Sequence, residues 1–393
     1  MATWIPGQLA MPNPIPQTMS AVLLTGHGGL DRLVYRDDVP VPRPEAGQVL
    51  VQVTATAKNN TDRKAREGHY STRDDDEAVS FAIGGKPTLT FPRIQGADVV
   101  GTVAAVGDGM NPARLGERGL LDFNIYGTGR RDINLVPDYF GHGADGGFAE
   151  YVVVPDDQFH AVTDPTLADA ELAALGMCSY QTAYHMLTAA DIHPGEHVLI
   201  TGASGGVGTA LIQLCRIIGA IPYASSTPAK APALCELGAQ AVFDRRDTRD
   251  FVARTAAATG GVPFDAVMDL VGGASTRRFI EAMTFDMVAR TTYPRLSIAG
   301  ASESNVSEIP WTLIYLYQVR IVGVSHGTRA EAEQLVHWIR AGRLRPVLQA
   351  AFPLSAIHDC ERYFVDRAAG HLGKVVVVPD AQWATHGAPF ALA

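Results

Sequence analysis

Ile200-Thr201-Gly202-Ala203-Ser204-Gly205-Gly206-Val207-Gly208 is the stretch on which the reading of this chain turns. A β-rich run at residues 197–201 leads into it. Val207, Leu211, Leu214 and Ile218 follow at helical spacing, so the sequence predicts a strand, a glycine turn and a helix. Glycines in that setting point to a dinucleotide. Gly202 and Gly205 permit a tight turn and close backbone approach to a pyrophosphate, whose charge the helix N-terminus favours. Gly208 lets helix and strand pack closely, and Ser204, Gly206 and Val207 complete the predicted turn. The strict GxGxxG pattern is absent, because Ala203 takes the first place of Ala203-x-Gly205-x-x-Gly208.

Downstream, strands are predicted at residues 221–224, 241–243, 266–270, 296–299 and 320–324, with helices at 229–237 and 249–258 between them. Such alternation predicts an α/β fold, a doubly wound parallel sheet with helices on both faces. The second strand runs into Tyr223-Ala224-Ser225-Ser226-Thr227-Pro228-Ala229-Lys230. An acid there would bind the ribose hydroxyl of NAD; here none repels a 2'-phosphate, and Ser225, Ser226 and Lys230 can bind one. NADPH is therefore expected over NADH. If Lys230 is only a solvated helix residue, that preference weakens while dinucleotide binding stands.

Upstream, the β-rich runs 21–24, 48–54, 99–106 and 149–154 suggest a mostly antiparallel or mixed sheet. The long segment 70–93 between them reads equally as a lid over a pocket or as a surface insertion. After Gly327, a helix at 330–341, a segment at 346–352, a helix at 355–367 and an apolar strand at 374–378 follow, and the strand is expected to rejoin the first sheet. Residues 1–19 read as a loose arm and 380–393 as a tail, poorly ordered or oligomer-dependent. With 393 residues, 47% of them hydrophobic and 19% charged, two folded domains are expected. The net charge of -9 is dispersed apart from Asp74, Asp75, Asp76 and Glu77, and clustered Lys and Arg are missing, which argues against nucleic-acid binding. Apolar stretches are too short to span a bilayer, and the proline-bearing N-terminus lacks a secretion pattern. Four scattered cysteines without a CxxC pair fit a reducing cytoplasm.

Further stretches, taken together, resemble the medium-chain dehydrogenase/reductase superfamily, and within it the zinc-free quinone oxidoreductase branch, from residue 20 to 379. They are Asn59-Asn60-Thr61-Asp62 with Arg66, Gly68 and Tyr70; Gly96-Ala97-Asp98-Val99-Val100-Gly101 with Val106-Gly107; Asp145-Gly146-Gly147-Phe148-Ala149-Glu150-Tyr151; Thr182-Ala183-Tyr184; Asp269-Leu270-Val271-Gly272-Gly273; and Gly373-Lys374-Val375-Val376. The resemblance implies a GroES-like catalytic domain (20–160 and 328–379), a Rossmann domain (161–327) and an active cleft between them. It also implies that Val271, Gly272, Ala299 and Ser325 pass near the nicotinamide, that Lys374 helps hold the cofactor, and that the chain is a homodimer.

In zinc-dependent relatives the first catalytic ligand is a Cys where this chain has Asn59 and the second a His where it has Ala97; only Cys178 stands where the third is expected. The structural zinc lobe needs four close cysteines, and none precedes residue 178. No metal is therefore expected, and without one hydride transfer suits an already activated acceptor, a quinone or an α,β-unsaturated carbonyl. Candidate hydrogen-bond donors are Asn59, Tyr70, Tyr139 and His142, with Tyr180 and Tyr184 behind them; packing or loop roles explain several of these equally well. Two other outcomes stay open: an NADPH-binding protein without turnover, and a cyclase or isomerase on the same fold.

Overall fold

A computed structural model describes residues 14–70, 82–83, 86–127, 130–135, 137–288, 292–304, 306–366, 370 and 372–392. Six strands form one wholly parallel sheet in the order Val242–Asp244, Ile221–Ser226, His197–Ile200, Ala266–Asp269, Arg295–Ile298, Arg320–Gly323. Chain order along that sheet is 3-2-1-4-5-6, so the direction of winding reverses between His197–Ile200 and Ala266–Asp269, where a crevice opens at the carboxyl ends. Ala266–Asp269 is buried along its whole length, as befits a strand covered on both faces. Helix Gly206–Ile218 presents Ala210, Leu211, Leu214 and Cys215 to the core and stops at Gly219, whose φ of 85° is the left-handed cap that glycine adopts without penalty.

The second large sheet runs Phe159–Ala161, Arg118–Leu121, Asp98–Val106, Gln48–Ala57, Lys374–Val378, Leu348–Pro353, and Tyr151–Pro155 also pairs with Gln48–Ala57. Lys374–Val378 lies antiparallel to Gln48–Ala57 and parallel to Leu348–Pro353. Its run of four valines is buried throughout, which explains why it reads as a continuous apolar stretch rather than an alternating one. A smaller sheet of Leu33–Pro40, Thr18–Leu24 and Arg93–Ile94 packs beside it.

Several elements depart from the sequence expectations. Helices Asp169–Ala174 and Met177–Ala189 were not anticipated: burial of Met177, Cys178, Ser179, Tyr180 and Gln181 in succession leaves no amphipathic stripe to read. The expected helix at 229–237 starts as a 3-10 turn, Pro228–Lys230, before Ala231–Glu236. The tail is not loose. Asp380–Gln382, Trp383–Gly387 and Ala388–Phe390 form short helical turns, Trp383 and Phe390 pack on the core, and Ala391 pairs with Ala351. Residues 1–13 of the expected arm and 71–81 and 84–85 of the expected lid lie outside the described residues.

Candidate active site

A cavity of about 340 Å³ opens at the carboxyl ends of four adjacent parallel strands, where Gly202, Leu270, Ala299 and Val324 line it. Its other wall comes from the region of the GroES-like sheet and carries Lys58, Asn59, Lys64, Tyr70, Phe364 and Lys374. The volume suits a small ligand or one ring of a larger one.

The wall at the strand ends is made of missing side chains. Gly202 has φ 58°, and a Cβ on Gly208 would fall 2.5 Å from the Cα of Ala203, so the helix packs on the turn only without it. A Cβ on Gly206 would fall 2.6 Å from Ser179 Oγ and 2.7 Å from Lys374 Cδ. Gly205, Gly206, Val207 and Ser325 all line the cavity. Gly373 donates its backbone N–H to Ser204 O at 2.8 Å, tying the turn to the strand that carries Lys374. At the end of the second strand Ser225 and Ser226 are buried, and Lys230 Nζ donates to Ser204 Oγ at 3.1 Å. Burial, with the nearby Arg245 cation, holds the Lys230 ammonium below its ordinary pKa. Arg245, whose amide donates to Ser226 O at 2.9 Å, was missed by the sequence reading.

Val271 and Gly272 lie on the turn that follows strand Ala266–Asp269. Their amides both donate to Asp269 Oδ1, at 3.0 and 3.2 Å, and the Val271 carbonyl accepts from Glu303 N at 2.9 Å. These polar groups brace the turn after the strand, and neither residue lines the cavity.

The other wall is a meeting of charges from distant segments. Lys374 Nζ donates to Asn59 Oδ1 at 2.5 Å, Asp98 Oδ2 at 3.0 Å and Ser179 Oγ at 3.1 Å. Asn59 Nδ2 donates to Asp98 Oδ2 at 2.9 Å and to Ala57 O at 3.1 Å, while Asp98 Oδ1 accepts from the Cys178 amide at 2.8 Å. Both amide hydrogens of Asn59 are thus engaged, so the expected donation from Asn59 to a substrate oxygen does not fit this geometry. Ala97 is a buried methyl beside this corner. Burial pushes the Cys178 thiol pKa well up, and the adjacent Asp98 carboxylate adds to the shift.

Of the other expected donors, Tyr70 lines the cavity, and burial raises its phenol pKa, so it stays protonated and able to donate. Tyr139 and His142 are fully buried and outside the lining. They stack at 5.1 Å, and His142 Nδ1 lies 2.8 Å from Asp138 Oδ1. That places them in a layer behind the cavity, with Tyr139 edge-on to His326 at 5.4 Å. His326, at φ 58° and pushed to a pKa of about 3 by burial, is a lining residue the sequence reading passed over. Tyr180 accepts from Gln213 Nε2 at 3.0 Å and Tyr184 packs edge-on against Trp338, so both are structural. Lys58, Lys64, Thr61 and Ser179 were also missed. The Asn59-x-x-Asp62 spacing was the available signal: Asp62 Oδ2 accepts the Asn59 amide at 2.7 Å and starts the helix Asn60–Arg66 that presents Thr61 and Lys64.

Below this wall Lys58 Nζ lies 2.6 Å from Glu361 Oε1 and 3.5 Å from Asp62 Oδ2, all three buried, and Arg66 reaches Glu361 at 3.5 Å. Burial pulls the Lys58 pKa down, but the Glu361 and Asp62 carboxylates outweigh it and the net shift is upward.

The chain matches the family described as alcohol dehydrogenase GroES-like domain over residues 45–164 and that described as zinc-binding dehydrogenase over 206–341. A solved structure of a Sinorhizobium meliloti 1021 protein, classed among the alcohol dehydrogenases, is 46% identical; the match covers 95% of this chain and all of that one, with a TM-score of 0.86. Quinone oxidoreductase of Homo sapiens is 26% identical over 368 residues, 92% of this chain and 98% of the relative. A segment amounting to 14% of a phenolphthiocerol/phthiocerol polyketide synthase of Mycobacterium tuberculosis is 29% identical over 89% of this chain.

Proposed function

We propose that this chain, which belongs to the medium-chain dehydrogenase/reductase superfamily in its quinone oxidoreductase-like branch, reduces a quinone or an α,β-unsaturated carbonyl with NADPH and without zinc. The observation that carries the reading is the corner where Lys374, Asn59 and Asp98 close on one another beside Cys178. A catalytic zinc requires three deprotonated ligands. The corner supplies an amide whose oxygen accepts from Lys374, a methyl, a single thiol, and the Asp98 carboxylate already paired with Lys374. These residues do not fit the metal.

The residues of the glycine wall do fit a dinucleotide. The glycine turn lets a pyrophosphate approach the N-terminus of Gly206–Ile218, and Ser225, Ser226, Lys230 and Arg245 offer hydroxyls and two cations to a 2'-phosphate. The cofactor, when bound, supplies hydride. The protein's part is then to orient the acceptor between the two walls, exclude water, and donate hydrogen bonds to the oxygen that gains charge; Tyr70 is the lining phenol suited to that donation. The single proton that completes the reduction comes from solvent in this scheme.

Trp311, Tyr315 and Leu316 are 65%, 67% and 60% exposed, and the edge strand Arg320–Gly323 pairs on one side only among the described residues. A second copy of the chain suits that edge, in keeping with a homodimer. No described helix is long and apolar enough to cross a membrane, and all four cysteines carry free thiols, which suits a cytoplasmic enzyme. To test the reading, NADPH and NADH oxidation by the purified protein are followed with a panel of quinones and enones. Faster turnover with NADPH is expected for at least one acceptor; no oxidation with any acceptor rejects the proposal.

A further inference from the structure

We propose that Lys64 recognises an anionic group, a carboxylate or a phosphate, carried by the acceptor substrate; the inference rests on the reductase reading above. Three lysines line the cavity, and no Asp or Glu does among the described residues. Two of the three are compensated. Lys58 is paired with Glu361 and Asp62, and Lys374 with Asp98. Lys64 makes no ion pair or side-chain hydrogen bond among the described residues, and the charge that acts on it is that of Arg63, of the same sign.

Lys64 is about half withdrawn from water, and that burial, with Arg63, lowers its pKa. A partly desolvated ammonium without a counter-charge is costly, and an arriving anion removes part of that cost. Helix Asn60–Arg66 holds Lys64 beside Asn60 and Thr61 on the same stretch of wall, so a polar amide and a hydroxyl flank the cation where an oxygen anion would sit. A neutral acceptor would leave this charge unanswered; a substrate with an acidic arm would answer it while its electrophilic end lies against the nucleotide wall.

The source of the anion separates two cases, the acceptor or the cofactor's own phosphates, and one titration distinguishes them. The full chain loaded with NADP+ is titrated calorimetrically with an enone carboxylic acid, its phosphonate counterpart and its methyl ester, in wild type, Lys64→Gln and Lys64→Arg. NADPH affinity is measured on the same samples. The acid or the phosphonate is expected to bind at least about tenfold more tightly than the ester, an advantage lost in Lys64→Gln, kept in Lys64→Arg and reduced by added salt. NADPH affinity should change by less than about threefold. Equal binding of acid, phosphonate and ester by the wild type overturns the proposal, as does a Lys64→Gln variant whose main loss is in NADPH affinity. Turnover is scored separately: an acid that binds through Lys64 without oxidising NADPH upholds the anion site and counts against the reductase reading alone.

Discussion

The glycine wall and the lysine wall face the same cavity, yet one is shaped by side chains that are missing and the other by charges gathered from distant parts of the chain. Gly202, Gly206 and Gly208 lie within seven consecutive residues; Gly202 and Gly208 answer steric demands inside the turn itself, and Gly206 leaves room for Ser179 and Lys374. Lys58, Asp98, Glu361 and Lys374 come from four separate segments, and each is tolerable only because the others are present. A glycine wall therefore fails locally, at the position substituted. The charged wall fails cooperatively.

The largest effect is expected in that second wall. Glu361→Ala leaves the buried Lys58 ammonium short of its nearest partner, and the loss should be about 3–5 kcal/mol of unfolding free energy, measured by denaturant titration. Only a small change, as for a surface pair, would break the contrast.

Behind the same wall, Asp122 accepts from Tyr126 OH at 2.7 Å, and Gln181 links Tyr126 to Thr328 O, next to the His326 turn. Burial raises Asp122 to about 7, above its ordinary 3.8. The folded state thus holds the extra proton between those values, so stability is full below about pH 4 and falls as pH rises through 7, by at most about 4 kcal/mol. Asp122→Asn should flatten that part of the pH–stability curve; an unchanged slope relative to wild type contradicts the assignment.

On the glycine wall, Gly208→Val should weaken NADPH binding by roughly a hundredfold, because the new Cβ meets backbone at Ala203 rather than a movable side chain. Fluorescence titration measures it, and near-normal affinity would show that the close packing does not matter to the site. The smallest effect concerns cofactor choice. Ser226→Asp puts a carboxylate beside Lys230 and Arg245, and the NADPH-to-NADH preference in kcat/KM should fall by at least about tenfold.

The same contrast explains what the sequence disclosed. The parallel sheet and the glycine turn follow from local periodicity and from steric rules that act within a few residues, so they were legible; the 3-2-1-4-5-6 order, a matter of pairing between distant strands, was not. The return of Lys374–Val378 to the first sheet was legible too, through its apolar run. Helix Met177–Ala189 was hidden because tertiary burial on several sides removed its periodicity, and helix Asn60–Arg66 because it is short and charged. Asn59 was found as a position but misread as a donor, since its amide hydrogens are claimed by Ala57 and Asp98, one of them 39 residues away. Lys64 and His326 stand out only once the cavity exists. Tyr139 and His142 looked like site residues because their chemistry suits one; only packing shows that they sit behind it.

Metal-free hydride delivery from NADPH would leave an isotopic signature, which deuterium transfer reads out. Chelator-treated protein, with zinc content measured, is given NADPH deuterated at the transferable C4 position and an enone acceptor, and the product is analysed by mass spectrometry. One deuterium is expected at the β-carbon of the reduced product, at a rate unaffected by the chelator. Activity that disappears on chelation and returns with zinc, or a product formed without deuterium, would contradict metal-free delivery from NADPH.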